Sequence, residues 1–412
     1  MDEWITMIIT DGILKNTARI MEYMLRHPQT TRVQIVKDTG LTPAAVTNTM
    51  NLLVHKNIIG ETGSEVRGTP GSGRSQKLIA FQPDCGFFGG MEINMYGLHL
   101  AITDAAGSPL YTAETPLDQI DLSRISEEIS SLIKTSLKKS GTSSLKGFGF
   151  AIPGHYDHPT GRILPNNLNW KHFNLHDIQN HFEFPLWAHN NIECMALSQY
   201  LYNRQNAPKR FAFLHIGPGV YCSFFNANKL GDSKNFYLGE IGHMVVERDG
   251  TLCECGKKGC LQTYVSESWL LKKAEMARHS NPDSYLAALC PEGKKITLNH
   301  IRDAALAGDV FVSRMLDDAI EYLAISMANM FLTHEIEQIY LNSRLFQQEE
   351  FKQKLQEKLF PQLEFLSVSH GLKLSVLSFD SCRGAFAGSA LASYSCFIKH
   401  PEMLFAEELK KS

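Results

Sequence analysis

The sequence lacks the features of a membrane or secreted protein. None of its apolar runs approaches the roughly 20 residues that a bilayer-spanning helix requires, and its amino end shows no basic stretch followed by an apolar segment and a small-residue cleavage site. Its nine cysteines are an odd number, which does not fit a framework of structural disulfides. We therefore expect a cytoplasmic protein that makes no membrane contact and keeps its thiols reduced.

The sequence also lacks a strong excess of one charge. Its 412 residues carry 40 Lys and Arg against 43 Asp and Glu, a net charge of −3. This balance excludes a basic coat over the whole surface and confines any nucleic-acid footprint to one region. Short internal repeats and low-complexity segments are absent as well. A hydrophobic content of 43% is enough to build the cores of two or three globular domains.

Residue types that bind metals are concentrated in one central stretch. His243 ends the sequence Gly-Glu-Ile-Gly-His, and Cys253, Cys255 and Cys260 follow it in a loop rich in Gly and Lys. One imidazole and three sulfurs are the ligands of a closed tetrahedral Zn²⁺ site, and the neighbouring glycines allow tight turns. The alternative is that small cysteines lie in a core by chance, which such a polar loop does not favour. We predict a structural zinc site with these four ligands.

The first 83 residues predict a winged helix-turn-helix. Apolar residues recur with helical spacing over 12–27, a short helix follows over 31–39, and Gly40 leads into a third helix that starts with a Thr-Pro pair. Two short apolar strands, at 58–60 and 77–81, then flank a loop rich in Gly, Pro and Arg. This order of elements is typical of a DNA-binding head with a wing.

The third helix predicts the residues that contact DNA. Its apolar positions Val46, Met50 and Leu53 face inward, which leaves small and amide side chains on the outside, where they suit base edges. The predicted DNA contacts are these outward residues and two wing arginines: Thr42, Ala44, Thr47, Asn48, Asn51, Arg67 and Arg74. The alternative is a helical protein-interaction module with a flexible loop, since residues 1–83 hold only nine Lys and Arg against seven Asp and Glu.

Beyond residue 84 the patterns of strands and helices alternate, which predicts an α/β domain. Predicted strands lie within 86–103 (two, with a turn at 94–97) and at 145–153, 211–216, 221–227, 339–341 and 374–378. Predicted helices lie near 122–139, 192–204, 266–279, 311–331, 345–359 and 385–397.

The central motif carries a family resemblance. Gly-Glu-Ile-Gly-His followed by Cys-x-Cys-Gly-x-x-Gly-Cys-Leu resembles the signature of the ROK family, whose name joins repressors, open reading frames and sugar kinases. The resemblance implies a two-lobed, actin-like (ribonuclease-H-like) fold over 84–412, following the winged helix-turn-helix domain of 1–83. It implies a first lobe of about 84–196 with the terminal helix of about 385–412, and a second lobe of about 197–384 that contains the zinc site.

The resemblance also implies an effector site between the lobes. It places sugar contacts at Asn167, Asn191, Glu240, His243 and Gln262. Asn191 and Gln262 stand where the family usually has carboxylates, so two acceptors become mixed donors and acceptors. Either the effector differs from a simple aldohexose, for example by an acidic or phosphate group, or sugar binding is weakened. For Asn167 and Asn191, capping of loops is the alternative role.

Four departures from the family's kinases predict that no catalytic residues are present. Asn191 replaces the aspartate that takes the proton from the attacking sugar hydroxyl, and an amide cannot serve as that base. Glu-Ile-Asn-Met-Tyr at 92–96 replaces the phosphate-binding Asp-x-Gly-Gly-Thr, and Gly217-Pro-Gly219 loses a backbone donor at its proline. Leu-Asn-Ser-Arg at 341–344 replaces a Gly-Gly pair that usually lies against adenosine.

Together these features predict a transcriptional regulator, a repressor of carbohydrate-utilisation genes. Its expected partners are a double-stranded DNA operator, a sugar or sugar-phosphate effector, and a second copy of itself, since one recognition helix reads only a few base pairs. A dimer or a higher homo-oligomer satisfies this requirement. The rival functions are a carbohydrate kinase with an appended DNA-binding head and a scaffold whose cleft no longer binds a ligand.

Overall fold

The structure, a computed structural model, describes residues 9–66, 75–142, 144–164, 168–203, 207–229, 238–366 and 372–406. The chain forms two compact units, Met1–Ala207 with Ser381–Ser412, and Pro208–Asp380. No helix in the described ranges is long and apolar enough to cross a bilayer.

The amino end folds into three helices and a three-stranded sheet, which we call the head. Its elements are α1 (Asp11–Arg26), β1 (Gln29–Thr30), α2 (Arg32–Thr39), α3 (Pro43–His55), β2 (Ile59–Val66) and β3 (Gln76–Phe81). The strand order is β1-β3-β2, with antiparallel pairing throughout. Gly40 ends α2 in the left-handed conformation that glycine adopts without strain (φ 67°). The predicted winged helix-turn-helix is confirmed.

A mixed five-stranded sheet follows the head in the first unit. Its elements are β4 (Phe87–Asn94), β5 (Gly97–Asp104), β6 (Pro109–Pro116), α4 (Ile125–Ser140), β7 (Gly147–Ile152), β8 (Tyr156–Asp157), β9 (Arg162–Ile163), α5 (Leu175–Gln179), β10 (Leu186–Asn190) and α6 (Asn191–Tyr202). The strand order is β10-β7-β4-β5-β6, in which β10, β7 and β4 are parallel and β4, β5 and β6 antiparallel. Buried aromatic and aliphatic side chains of the sheet and of α4, such as Phe148, Phe150 and Ile129, form its core.

The second unit contains a four-stranded sheet and most of the remaining helices. Its elements are β11 (Arg210–Ile216), β12 (Val220–Asn226), α7 (Gln262–Val265), α8 (Glu267–Ser280), α9 (Tyr285–Leu289), α10 (Leu298–Leu306), α11 (Val310–Thr333), β13 (Gln338–Ser343), α12 (Glu349–Leu359) and β14 (Lys373–Val376). The strand order is β12-β11-β13-β14. The long α11 supplies many of the buried side chains that cover this sheet, among them Leu316, Leu323 and Met327.

The chain then returns to the first unit with α13 (Arg383–Tyr394). This helix packs directly on the glycines of β4 and β7, since a Cβ added at Gly90 would lie 2.0 Å from the backbone nitrogen of Ser389. The segment that follows α13 contacts α1 of the head, and the Phe397 ring stacks on Phe81 at 5.8 Å between centroids. The head and the five-stranded sheet therefore belong to one unit. The predicted α/β fold class is confirmed.

Candidate functional site

The four predicted metal ligands lie together in the second unit. His243 ends a short 3-10 turn (Ile241–His243), and the three cysteines lie in the loop that precedes α7. The Sγ of Cys253 is 3.7 Å from the Nδ1 of His243, and the Sγ atoms of Cys255 and Cys260 are 3.6 Å apart. All four ligand atoms lie within 4.8 Å of one another.

This spacing fits a single tetrahedral ion. Nitrogen and sulfur ligands at zinc's usual bond lengths stand roughly 3.3–3.8 Å apart when they share one ion. The loop reaches this geometry through Gly259, whose φ is 69° and whose added Cβ would lie 1.5 Å from the Glu247 carbonyl oxygen. A larger residue at position 259 would therefore displace the loop. The cluster can hold a metal ion such as zinc.

The protonation of the cysteines matters because a thiol must lose its proton to bind zinc. Without an ion, burial raises the pKa of Cys260 to about 12 and also raises the pKa of Cys253. The exposed Cys255 differs, since a hydrogen bond from the backbone N–H of Lys257 lowers its pKa. The buried thiols are thus poor thiolates by themselves and need a positive ion to become charged.

Two of the predicted effector residues lie beside this cluster. The Nε2 of Gln262 donates to the Sγ of Cys253 at 3.3 Å and to the Oε2 of Glu254 at 3.2 Å. The backbone carbonyl of Glu240 accepts from the His243 N–H at 3.0 Å, so Glu240 begins the turn that positions that ligand. An ion held here would also fix the orientation of Gln262.

Asn191 lies in the first unit and contacts a buried carboxylate that the sequence did not single out as a site residue. Its Nδ2 donates to the Oε1 of Glu92 at 3.2 Å. Glu92 is 5% exposed, and burial raises its pKa to about 7, against the opposing effect of hydrogen bonds from Asn191 and Asn94. Gly384 of α13 packs against it, since an added Cβ would lie 2.1 Å from the carboxyl group. The sequence feature that could have identified Glu92 is an acidic residue near the end of a buried strand.

Asn94 supports the turn between β4 and β5. Its Oδ1 accepts from the backbone N–H of Tyr96 at 2.9 Å. The side chains of Met95 and Tyr96 are about half exposed, at 50% and 51%. The Asn94 side chain therefore stabilises this turn, while the two residues that follow it face solvent.

An ion pair in the second unit joins Arg344 to Glu267. The Nε of Arg344 donates to the Oε1 of Glu267 at 2.9 Å, and its Nη2 donates to the other carboxylate oxygen. Glu267 is buried and opens α8, and its backbone N–H donates to the Gly217 carbonyl at 2.8 Å. The turn at Gly217 and the segment ending at Arg344 are therefore joined through one buried carboxylate.

The outer face of α3 has the exposure that a recognition helix requires. Val46, Thr49, Met50 and Leu53 are buried. The predicted DNA contacts of this region are all exposed: Thr42, Ala44, Thr47, Asn48 and Asn51. Thr42 also caps the helix, since its hydroxyl accepts from the Ala45 N–H at 3.2 Å.

Arg32, the first residue of α2, also contacts the outer face of α3. Its Nη2 donates to the Oδ1 of Asn51 at 3.1 Å and so orients the amide. The sequence analysis did not predict this contact, although a cation at the start of the second helix was the available signal. Three predicted residues, Asn167, Arg67 and Arg74, lie outside the described residues.

A contact within the first unit joins the head to α6. The Arg26 guanidinium lies over the Tyr200 ring, and the Tyr200 hydroxyl accepts from Arg26 at 3.2 Å and donates to Glu22 at 2.5 Å. Arg26 also donates to the Ala207 carbonyl at 3.0 Å. Asn191 and Tyr200 thus lie near opposite ends of the same helix, and Tyr200 contacts α1.

Comparison with known proteins places these features in a family. The model of the ROK family matches residues 88–388. The xylose repressor of Bacillus spizizenii is 22% identical over 378 residues, covering 89% of this chain and 94% of the relative. A glucokinase of Halalkalibacterium halodurans is 28% identical over 191 residues, but it covers only 46% of this chain and 58% of the kinase. The crystal structure of a ROK family transcriptional regulator, a homolog of the E. coli MLC protein, aligns with a TM-score of 0.76 at 20% identity, over 98% of this chain and all of that one.

Proposed function

The chain belongs to the ROK family, and we propose that it is a DNA-binding transcriptional regulator, a repressor of carbohydrate-utilisation genes that responds to a sugar or sugar phosphate. The observation that carries this proposal is the exposed polar face of α3, on a head that belongs to the same compact unit as Asn191. Similarity to a xylose repressor over nearly the whole chain supports it.

Reading an operator requires two heads. One α3 covers only a few base pairs, and a two-fold pair of heads matches an inverted repeat. The active form is therefore a homodimer or a higher homo-oligomer that acts in the cytoplasm. Asn48 and Asn51 contact base edges, while Arg67 and Arg74 of the wing contact phosphates or the minor groove.

The metal in the second unit is a structural zinc ion, held by His243, Cys253, Cys255 and Cys260. With four protein ligands no position remains for a substrate, so the ion would supply rigidity and no chemistry. The hydrogen bond from Gln262 to Cys253 supports a role in positioning effector contacts. The candidate effector contacts are Asn167 and Asn191 of the first unit, and Glu240, His243 and Gln262 of the second.

The effector signal reaches the head through α6. An effector that binds Asn191 competes with Glu92 for the amide at the start of this helix. Tyr200, near its other end, contacts Glu22 and Arg26 of α1. A small shift of α6 would therefore change the position of the head, which is how differential ligand affinity alters DNA affinity.

Footprinting tests the regulatory function. DNA from upstream of this gene and its neighbours is incubated with the purified full chain, and we expect protection of an inverted repeat at nanomolar protein. A panel of sugars and sugar phosphates is then screened for release of that DNA. Equal affinity for every fragment and for random DNA would rule out an operator-binding regulator.

Sugar kinase activity is the second candidate, and the similarity to a glucokinase favours it. Against it stand the absence of a carboxylate at Asn191 and the ion pair of Arg344 with Glu267 in the region where the family's kinases have glycines. Measurement of ADP release with ATP and the same sugar panel separates the two functions. Turnover that depends on one sugar would support the kinase.

A further inference from the structure

We propose a second transition-metal site, formed by His99, Glu114 and Cys382 and lying wholly within the first unit. Two of these residues form a cross-strand pair. His99 of β5 and Glu114 of β6 are directly opposite in the antiparallel register, so their side chains lie on the same face of the sheet. Cys382 immediately precedes α13, the helix that returns to this sheet.

The distances among the three side chains are those of ligands that share an ion. The Nδ1 of His99 lies 3.4 Å from the Oε1 of Glu114, and the Sγ of Cys382 lies 3.6 Å from the same oxygen. All three ligand atoms lie within 4.8 Å of one another. Ligands on one tetrahedral zinc ion stand roughly 3.3–3.8 Å apart.

His99 provides an independent indication that a ligand is missing. Its side chain is 12% exposed, and its buried Nδ1 makes no well-directed hydrogen bond with the residues that the structure describes, despite the nearby carboxylate. A buried polar atom without a partner is costly and calls for an explanation. A metal ion between His99, Glu114 and Cys382 would supply one.

Hydrogen bonding alone explains only part of the cluster. The Oε1 of Glu114 accepts from the Ser381 hydroxyl at 2.9 Å, which accounts for the orientation of the carboxylate. It leaves the His99 Nδ1 with only the 3.4 Å contact to Glu114, which lacks good hydrogen-bond geometry. A carboxylate oxygen has two lone pairs, so Oε1 can bind an ion and still accept from Ser381.

The ligand types select the ion. One nitrogen, one oxygen and one sulfur suit Zn²⁺, whereas Mg²⁺ and Ca²⁺ prefer oxygen alone. Three protein ligands leave the fourth position open to water or a small anion. The ion would tie Cys382, one of the first residues of the chain's return to the first unit, to β5 and β6. We infer that the ion holds the segment that precedes α13 against β5 and β6.

Zinc counting on the full chain tests the site. The protein is equilibrated with zinc, freed of excess by gel filtration and measured by elemental analysis, with a chromophoric chelator to rank affinity. We expect two equivalents in the wild type and one each in Cys382→Ser and Glu114→Gln. Both substitutions keep the shape of the side chain and its ability to form hydrogen bonds, but they remove a good zinc ligand. The exposed His172→Ala is the matched control and should keep two.

Cobalt binding to the wild type gives a test that does not depend on the folding of any variant. Two equivalents of Co²⁺ bound to the wild type should give two distinct thiolate-to-metal absorption bands, the weaker one from a single thiolate. Cys255→Ser should keep the single-thiolate band, which separates this site from the His243 cluster. One equivalent of zinc in the wild type, or two in Cys382→Ser, would overturn the proposal.

Discussion

The guanidinium carbon of Arg26 lies 4.3 Å from the centroid of the Tyr200 ring, so a cation of the head lies over an aromatic side chain of α6. Tyr200 is completely buried, and its hydroxyl joins Arg26 to Glu22. This pair is a specific connection between the head and α6, a helix that begins at a candidate effector residue.

Tyr200→Phe should lower the local stability of the head without disrupting the five-stranded sheet. The ring and its cation contact remain, but Glu22 and Arg26 each lose a hydrogen bond, at a cost of about 1–2 kcal/mol. Hydrogen exchange should become faster in α1. Tyr202→Phe is the control, because Tyr202 is also on α6 but its hydroxyl bonds the Ser393 hydroxyl of α13, at 2.6 Å. Equal acceleration of α1 in both variants would argue against a connection through Tyr200.

Glu92→Gln should change how stability depends on pH. Burial raises the Glu92 pKa from 4.5 to about 7, so the folded state holds the proton more tightly than the unfolded chain. The free energy of unfolding therefore includes a contribution from this bound proton. That contribution is fully present below about pH 4.5 and is lost as pH rises through 7, a loss on the order of 3 kcal/mol.

The measurement is urea unfolding at pH 5 and pH 8. Because glutamine is neutral, the variant should be close to the wild type at pH 5 and more stable than it at pH 8. The exposed Glu127→Gln serves as the control and should leave the pH dependence unchanged. A wild type with the same pH slope as Glu92→Gln would show that Glu92 does not titrate in this range.

Asn191→Asp should not create a kinase. A carboxylate would return to the position of the catalytic base, a contribution worth roughly 100- to 10,000-fold in rate. It would lie about as close to Glu92 as the amide does now, at 3.2 Å, so one of the two groups would retain its proton. The Arg344–Glu267 ion pair would still be present. ADP release on the sugar panel should equal that of the wild type, and sugar-dependent turnover would mean that a nucleotide site is intact.

Cys255→Ser should release one zinc equivalent relative to the wild type. Structural zinc stabilises the segment that its ligands close, so hydrogen exchange should become faster over 238–266 and stay unchanged in α1, α2 and α3. The exposed Lys258→Ala, in the same loop, should keep its metal. A variant with full zinc content would show that the four residues do not act as one site.

The head should divide its DNA contacts between bases and phosphates. Asn48→Ala or Asn51→Ala should relax base preference by about 1–3 kcal/mol at one position, and Arg32→Ala should act in the same direction because it orients the Asn51 amide. Anisotropy titrations on specific and random DNA measure this, with His55→Ala, exposed at the end of α3, as the control.

The wing arginines should behave differently. Arg67→Ala and Arg74→Ala should weaken binding to all sequences and lower the salt slope by about one each. Equal losses on specific and random DNA for the asparagine and arginine variants would contradict this division.

Local patterns predicted much of this molecule. The cap at Thr42 and the turn at Gly40 indicated the head, and the spacing of His243 and the three cysteines indicated the metal cluster, because neighbouring residues determine these features. The sequence missed β6 and β10, which carry weaker patterns at the edges of the five-stranded sheet.

Contacts between distant parts of the chain could not be predicted. Arg26 and Tyr200 are 174 positions apart, and Glu92 and Asn191 are 99 apart. Nothing in the residues around Glu92 shows that α13 will cover it. Such pairings depend on the three-dimensional arrangement of strands and helices, which one sequence does not specify by pattern alone.

The return of α13 to the first unit has a consequence for synthesis. A ribosome adds about 5–20 residues per second, so the 173 residues of Pro208–Asp380 take roughly 9–35 s. During this time the glycine-rich strands β4 and β7 lack the helix that covers them, and Phe81 of the head lacks Phe397. The second unit can complete its core first. The newly made protein therefore acquires a fully supported head only after α13 and Phe397 have emerged.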